Sequence, residues 1–359
     1  MKNTSSSPGR APNIYDVAQA AKVSIAAVSF ALNDKAGVSP KTRQRVLNTC
    51  RTLGYTPSPS ARSLSRNCRG AGGRVTTDLI AFSPVDHSEA TAHYPEVLGA
   101  ITQLATRNRK MLLHQPVQKG FESQLPWINR YGIDGRILIG RVDDSVVNAF
   151  GTENAPLLVI GDHECRQPVW NINMDYPAVG RLMVDHLWQL GHRRFLFISS
   201  PGQYQYQDEI RRASIERLRE NGARAPICLV TENVSSAIPQ FEKTMGDPKT
   251  RPTAVLAMEF AVTKPVLAHS RKLGMKLPRD FSMLAFGIVN ISGSQKVTFV
   301  DPCTEESGRL GMELLLRLIG SENQGRPCRT LIPPSITEGE TSAPPPMPAG
   351  RKSPKIKAS

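Results

Sequence analysis

Two hydrophobic rhythms divide this chain. Over residues 13–54 apolar side chains return every three or four positions, the spacing of short amphipathic helices. From Thr77 onward, short apolar runs alternate with longer stretches of helical period. The first rhythm predicts three helices. Asn13 is a good N-cap for a helix over 14–21, with Ile14, Val17, Ala18 and Ala21 along one face. Lys22 and Val23 make a tight turn, and Ser24 caps a second helix over 25–33 with Val28, Ala31 and Leu32 inward. A loop over 34–38 follows. Ser39 then caps a third helix that has Pro40 at its first position and Gly54 just past its end, the usual asymmetry of helix ends. Val46, Leu47 and Leu53 are expected to close a small core, with Lys41, Arg43, Arg45 and Arg51 on the polar side. Two short helices joined by such a turn match a helix-turn-helix.

Prolines 57 and 59 then make a stiff, extended connection, and Pro59 is able to open a short helix through Ser65. About seven residues do not hold a helix alone, because most of its stability must come from packing. This stretch therefore reads in one of two ways. It is a linker without structure of its own, or a hinge that becomes helical on DNA. In the second reading Ser60 and Ala61 permit close approach and Leu64 wedges between base pairs.

The second rhythm predicts an α/β body. Strands are expected near residues 78–83, 110–114, 135–140, 156–161, 194–199, 225–230, 253–258 and 282–287. Helices are expected at 95–108, 125–131, 175–190 and 210–221, from about 259 to 274, and at 304–319. Alternation of this kind implies parallel sheets covered by helices on both faces. It runs through two halves, so two doubly wound subdomains with a cleft between them follow.

Charge sharpens the division. The chain of 359 residues carries a net charge of +14. Residues 1–74 hold 12 Lys and Arg against 2 Asp and Glu, residues 343–359 hold 4 basic residues and no acids, and the 29 basic and 29 acidic residues between balance. A basic head on a neutral body attracts polyanions and by itself yields weak, salt-sensitive DNA binding.

The head resembles the DNA-binding and hinge segment of the lactose-repressor/galactose-repressor family of bacterial transcription regulators. The matching runs are Tyr15-Asp-Val-Ala, Val23-Ser24, Val28-Ser29, Leu32-Asn33, Val38-Ser39-Pro40, Thr42-Arg43, Leu53-Gly54-Tyr55, Pro57 and Ala61-Arg62-Ser63-Leu64. The body resembles that family's periplasmic-binding-protein-like effector domain, most closely at Asp175, residues 186–194, residues 273–282 and residues 308–319. The resemblance spans residues 13–340.

It implies an all-α helix-turn-helix head over 13–56 after an unstructured stretch over 1–12, a hinge helix and linker over 57–74, and a two-lobed effector-binding and dimerisation domain over 75–342. A disordered basic tail is expected over 343–359. The partners it implies are a double-stranded, palindromic operator, a second copy of the chain (the residues leave dimer and tetramer open) and a sugar-like small-molecule effector in the cleft. It implies that Ser24, Ile25, Ala26, Ala27, Ser29 and Phe30 face the bases, with Tyr15 and Asn33 beside them. Lys41, Arg43, Arg45 and Arg62 are candidate phosphate contacts. Ala61 and Leu64 lie in the minor groove.

The sequence departs from that pattern at its most informative positions. The family's base-reading positions hold Ile25, Ala26 and Phe30, none of which donates a bidentate hydrogen bond to a base edge; they suit thymine methyl groups instead. In the cleft, Asp208 and Ile210 stand where an arginine is usual, with Arg211 and Arg212 one step along. Glu259-Phe260, Gly287-Ile288 and Asp301-Pro302 replace polar or charged pairs that in such sites clamp ligand hydroxyls or carboxylates. The cleft candidates are Asp86, Tyr94, Asp162, Asp208, Arg211, Glu259, Phe260, Gly287 and Asp301. The changes leave open a different effector or a vestigial cleft.

Other classes find less support. The glycine-rich run 70–73 has no strand before it and no helix after it, so it reads as linker and not as a phosphate loop. No nucleophile elbow is present, the seven histidines are scattered, and the six cysteines form no C-x-x-C pair. An enzyme, a cofactor and a metal site are therefore not expected, and the cysteines read as reduced thiols. A cytosolic sugar-binding module or enzyme remains the alternative from another class, and the basic head argues against it. The first residues lack the apolar stretch of a secretory signal and no run is long enough for a membrane helix, so a cytoplasmic, nucleoid-associated protein is expected.

Overall fold

The computed structural model describes residues 13–32, 36–55, 77–85, 94–117, 132–140, 142–151, 155–199, 205–223, 225–230, 234–247, 249–287, 295–321 and 324–346. Three helices, α1 (Ile14–Ala21), α2 (Ile25–Leu32) and α3 (Pro40–Leu53), make the head. Their ends form where the local sequence directs. Asn13 Oδ1 accepts the amides of Tyr15 and Asp16, and the Asp16 carboxylate accepts the Asn13 amide at 2.7 Å, a reciprocal cap. Ser39 caps α3 through the Thr42 amide, and Gly54 ends it in the left-handed region. Val17, Ala18, Ala21, Val28, Ala31, Val46 and Cys50 are buried together. Leu53, expected in this core, is instead 37% exposed. Cys50 lies one turn beyond Val46 and takes the inward place, whereas Leu53, on the last turn, lines the open groove beside Ala20 of α1.

The body forms two lobes, each a six-stranded doubly wound sheet among the described residues. The N-terminal lobe holds β1 (Leu79–Val85), β2 (Met111–His114), β3 (Gly135–Gly140), β4 (Leu157–Ile160) and β5 (Trp170–Met174). The C-terminal lobe holds β6 (Phe195–Ser199), β7 (Ile227–Val230), β8 (Ala254–Ala257), β9 (Ser282–Phe286) and β10 (Thr298–Val300). The chain then returns β11 (Arg329–Ile332) to the first sheet and β12 (Ile336–Thr337) to the second. Strand orders are β11-β5-β4-β3-β1-β2 and β12-β10-β9-β8-β6-β7, parallel throughout except β10 with β12.

The helices covering these sheets are α4 (Tyr94–Arg107), α5 (Asp144–Phe150), α6 (Tyr176–Gln189), α7 (Gln205–Glu220), α8 (Val234–Met245), α9 (Phe260–Lys272) and α10 (Thr304–Gly320). The chain passes between lobes after β5, after β10 and after β11, so each lobe is built from two separate segments of the chain.

Elements that the apolar rhythm misses have identifiable reasons. β5 reads Trp-Asn-Ile-Asn-Met, and its buried Asn171 and Asn173 break the apolar run. Asn171 Nδ2 donates to the carbonyls of Val159 and Gly161, which is what makes an amide tolerable there. α8 carries Pro239 inside it. The expected helix over 125–131 lies outside the described residues.

The packed chain also runs past the expected boundary at 342. Ala343 exchanges hydrogen bonds with Ser282, and its carbonyl accepts from His192 Nε2 at 2.9 Å. That carbonyl can only accept, so Nε2 carries the hydrogen and Nδ1 meets the Thr253 hydroxyl. Burial holds the His192 imidazole below its ordinary pKa.

One buried carboxylate anchors the start of the body. Asp134 accepts the amides of Thr77 and Asp78, the Thr77 hydroxyl, and Lys110 Nζ at 2.9 Å. Asp134→Ala strands these donors and is expected to lower body stability by about 3 kcal/mol. Urea unfolding followed by circular dichroism measures it, and a loss within experimental error of zero contradicts the assignment.

Candidate nucleic-acid interface and inter-lobe cleft

The head presents one face without a structural role. α2 has no charged residue at all. Its inner stripe, Val28 and Ala31, is buried, and its outer positions are not. Ile25 is 40% exposed and Phe30 is 38% exposed, with Ala26 also exposed and Ala27 and Ser29 half-buried. Tyr15, at the start of α1, is exposed as well. Ser24 Oγ accepts the Ala27 amide at 3.1 Å, so this hydroxyl caps α2. Phe30 keeps its exposure although one ring edge lies over the backbone of Gly37. The result is a capped helix start beside an apolar, sterically defined outer surface.

The basic residues divide into two kinds. Lys41 and Arg45 are exposed and, with Gln44 and Asn48, line a groove of about 710 Å³ between Ala20 of α1 and the outer side of α3. Arg43 is half-buried, and its Nη1 donates to the Ala31 carbonyl at the end of α2 at 3.3 Å. A residue expected to hold phosphate therefore also ties α3 to the end of α2. Asn33, Ala61, Arg62 and Leu64 lie outside the described residues.

The cleft lies where the carboxyl ends of the two sheets face each other, as in other open α/β folds. Asp162 follows β4 in the N-terminal lobe, and its Oδ2 accepts the Tyr206 amide of α7 in the C-terminal lobe at 3.1 Å. Burial raises the Asp162 carboxyl, with Arg329 opposing the shift. Burial likewise raises Glu209, and Asp162 adds to it. Beside them Tyr176, Tyr206 and Phe286 form an aromatic cluster with ring centres 5.1 to 6.3 Å apart. Desolvation, above all else, pushes the Tyr176 phenol well above its usual pKa.

Several expected cleft residues are already engaged. Asp208 pairs with Arg211 on the same helix, so the two charges offset each other. Glu259 is buried and accepts Gln207 Nε2 at 2.9 Å. Asp301 Oδ1 accepts the Cys303 amide at 2.8 Å and shapes the turn into α10. Gly287 is buried at φ +96°, a conformation that favours glycine. Phe260 opens α9. Tyr94 meets His114 Nε2 and packs against Phe82, on the β1–β2 side. Asp86 lies outside the described residues. Sequence reasoning did not single out Glu209, Arg329, Tyr176 or Tyr206, whose roles arise only from the approach of the two lobes. Among the described residues no group is arranged to hold a metal ion, and no helix is long and apolar enough to cross a membrane.

Comparison with known proteins now bears directly on the head. The lacI family of bacterial regulatory proteins matches residues 13–58, and the periplasmic binding protein-like domain matches residues 184–342. The chain belongs to the LacI/GalR family. It is a DNA-binding transcriptional regulator of that type. Catabolite control protein A of Priestia megaterium is 24% identical over 320 residues, 86% of this chain and 93% of that protein. The HTH-type transcriptional regulator MalR of Staphylococcus xylosus is 22% identical over 335 residues, 92% and 97% respectively.

Among solved structures, the lac repressor dimer bound to operator and the anti-inducer ONPF matches with a TM-score of 0.73 at 21% identity, over 93% of this chain and 100% of that one. The complex of the transcriptional regulator CelR with cellobiose matches with a TM-score of 0.62 at 20% identity, over 92% and 100%. These likenesses show a helix-turn-helix head and a periplasmic-binding-protein-like fold in the two lobes.

Proposed function

We propose that this LacI/GalR regulator acts as a homodimeric repressor in which α2 enters the major groove of a palindromic operator. The observation that carries this reading is the charge-free outer face of α2. It leaves Ile25, Ala26 and Phe30 exposed on a small capped domain that has no structural need to expose them. Apolar contacts of this kind discriminate thymine methyl groups, while Lys41, Arg45 and Arg62 supply sequence-independent attraction to phosphate. Residues 13–56 form the reading head, 57–74 the hinge with Leu64 as its minor-groove wedge, and the chain from 75 to about 346 the two-lobed body.

The edges of both sheets support pairing with a second copy. Met111 on β2 is 51% exposed, and Ile227 and Val230 on β7 are 45% and 42% exposed. β2 and β7 are the outer strands on the corresponding edge of each sheet. Exposed apolar edge strands are a liability that a twofold interface removes, and two heads then meet two half-sites. The aromatic cluster beside Asp162 and Glu209 suits a ring bearing hydroxyl groups, which supports a sugar-like effector. No catalytic role is assigned, and the protein acts on the nucleoid in the cytoplasm.

The test is selection of operator DNA from a random library, followed by fluorescence anisotropy. Phe30→Ala is expected to weaken the selected operator by about tenfold, the scale of one lost base contact, and to leave random DNA unchanged. Equal weakening on both would show that α2 does not read bases.

A further inference from the structure

Arg136 occupies a position that the pattern of β3 reserves for an aliphatic residue. Gly135 and Ile137 face α10, where a Cβ on Gly135 would come within 2.9 Å of Leu315. Arg136 and Leu138 therefore face the other layer, where Leu138 packs with Val146, Val147 and Phe150. Arg136 is 1% exposed, among the largest fully buried side chains described.

Among the described residues its surroundings hold acceptors but no anion. Nη1 donates to Ser83 Oγ at 3.0 Å and to Gln115 Oε1 at 3.2 Å, and the guanidinium carbon lies 4.7 Å from the Phe150 ring centre. No Asp or Glu pairs with it in the described structure. Arg136 Nε and Gln115 Nε2, both buried, have no hydrogen-bond partner. Burial lowers the Arg136 pKa to about 10, which still leaves the group charged at neutral pH. The Phe150 ring face attracts the cation but accepts neither orphaned N–H group in the way an oxygen would.

The cluster thus combines one uncompensated positive charge with two sets of unmet donors. That combination is complementary to an oxygen ligand that carries negative charge and only accepts. A water molecule meets the donors without offsetting the charge. The strand register places the site. Arg136 is level with Ala81 of β1, yet its guanidinium reaches Ser83, two residues further along, and Gln115, just beyond the end of β2. The side chain therefore leans toward the carboxyl ends of β1 and β2.

We propose that Arg136, Gln115 and Ser83 form a buried receptor for a small oxyanion, either a carboxylate or a phosphate group. The site stands apart from the operator contacts, and its failure leaves the reading of the head untouched.

The experiment is thermal unfolding of the full-length protein in chloride buffer, with inorganic phosphate or succinate added at constant ionic strength. Wild type is expected to gain stability with concentration in at least one arm, and the responding arm separates phosphate from carboxylate. Arg136→Met, which removes the charge at similar volume, is expected to melt above wild type in chloride and to ignore both anions. Gln115→Leu keeps the charge and removes one donor. It is expected to fold as wild type does and to weaken the anion response by about tenfold, the scale of one lost charge-assisted hydrogen bond.

Three results overturn the proposal. One is a wild type indifferent to both anions. Another is an Arg136→Met protein that melts below wild type in chloride, which makes the arginine a satisfied structural group. The third is an undiminished response in Gln115→Leu.

Discussion

Replacing Val46 with aspartate is expected to abolish operator binding while leaving the two-lobed body folded. Val46 is fully buried at the centre of a head whose buried core, among the described residues, is Val17, Ala18, Ala21, Val28, Ala31, Val46 and Cys50. Most of those side chains are small, and a domain of about this size buries too little surface to hold more than a few kcal/mol of stability. An unpaired carboxylate in that core costs more than the domain has. α2 then loses both Val28 and Ala31 as anchors, and the face carrying Ile25 and Phe30 no longer exists as a surface.

Anisotropy on the selected operator is expected to show a loss of at least about a thousandfold, the low end of the gap between specific and non-specific binding. Thermal unfolding of the body is expected to be unchanged. A mutant that keeps specific affinity would show that the head does not depend on this core.

Gly180→Val is expected to have the complementary effect: a body destabilised by about 4 kcal/mol and a head left intact. Gly180 sits in α6 where it crosses α7. A Cβ there would lie 2.4 Å from the Ile210 carbonyl and 3.0 Å from the amide and hydroxyl of Ser214. The first two neighbours are backbone, so neither helix is able to yield by rotating a side chain. The Ser214 hydroxyl also donates to the Gly180 carbonyl at 3.2 Å, a bond that parting the helices removes. Chemical denaturation is expected to show a large fall in the body's midpoint. Unchanged stability would mean that the two helices pack less closely than the structure shows.

These two substitutions also separate what was legible along the chain from what was not. Asn13, Ser39, Pro40 and Gly54 act on residues within a few positions of themselves, and the caps they predict are the caps that form. The alternation that predicted β1, β3, β6, β8 and β9 succeeds because their apolar runs are continuous and wholly or largely buried. β5 escapes it because two buried asparagines break its apolar run, and the carbonyls of Val159 and Gly161 that hold Asn171 lie ten or more positions away, where the local pattern does not reveal them. The cleft was legible as a place and not as a set of contacts. Asp208 and Arg211 look like two ligand groups in the sequence and form one pair in space.

Interactions local in the chain are enough to set the class of this protein. A capped three-helix head, an excess of positive charge confined to residues 1–74, and an alternating α/β body all follow from interactions within a turn or a strand. Only the tertiary structure decided which polar groups remain available. The Gln207–Glu259 bond joins residues 52 positions apart, and the Asp162–Tyr206 bond joins residues 44 apart, across the two lobes. The burial of Arg136 without an anion depends on β1, the end of β2, and α5 closing around it. Hydrogen-bond partners at such separations are chosen by the packing of whole elements, and hydrophobic periodicity carries no record of that choice.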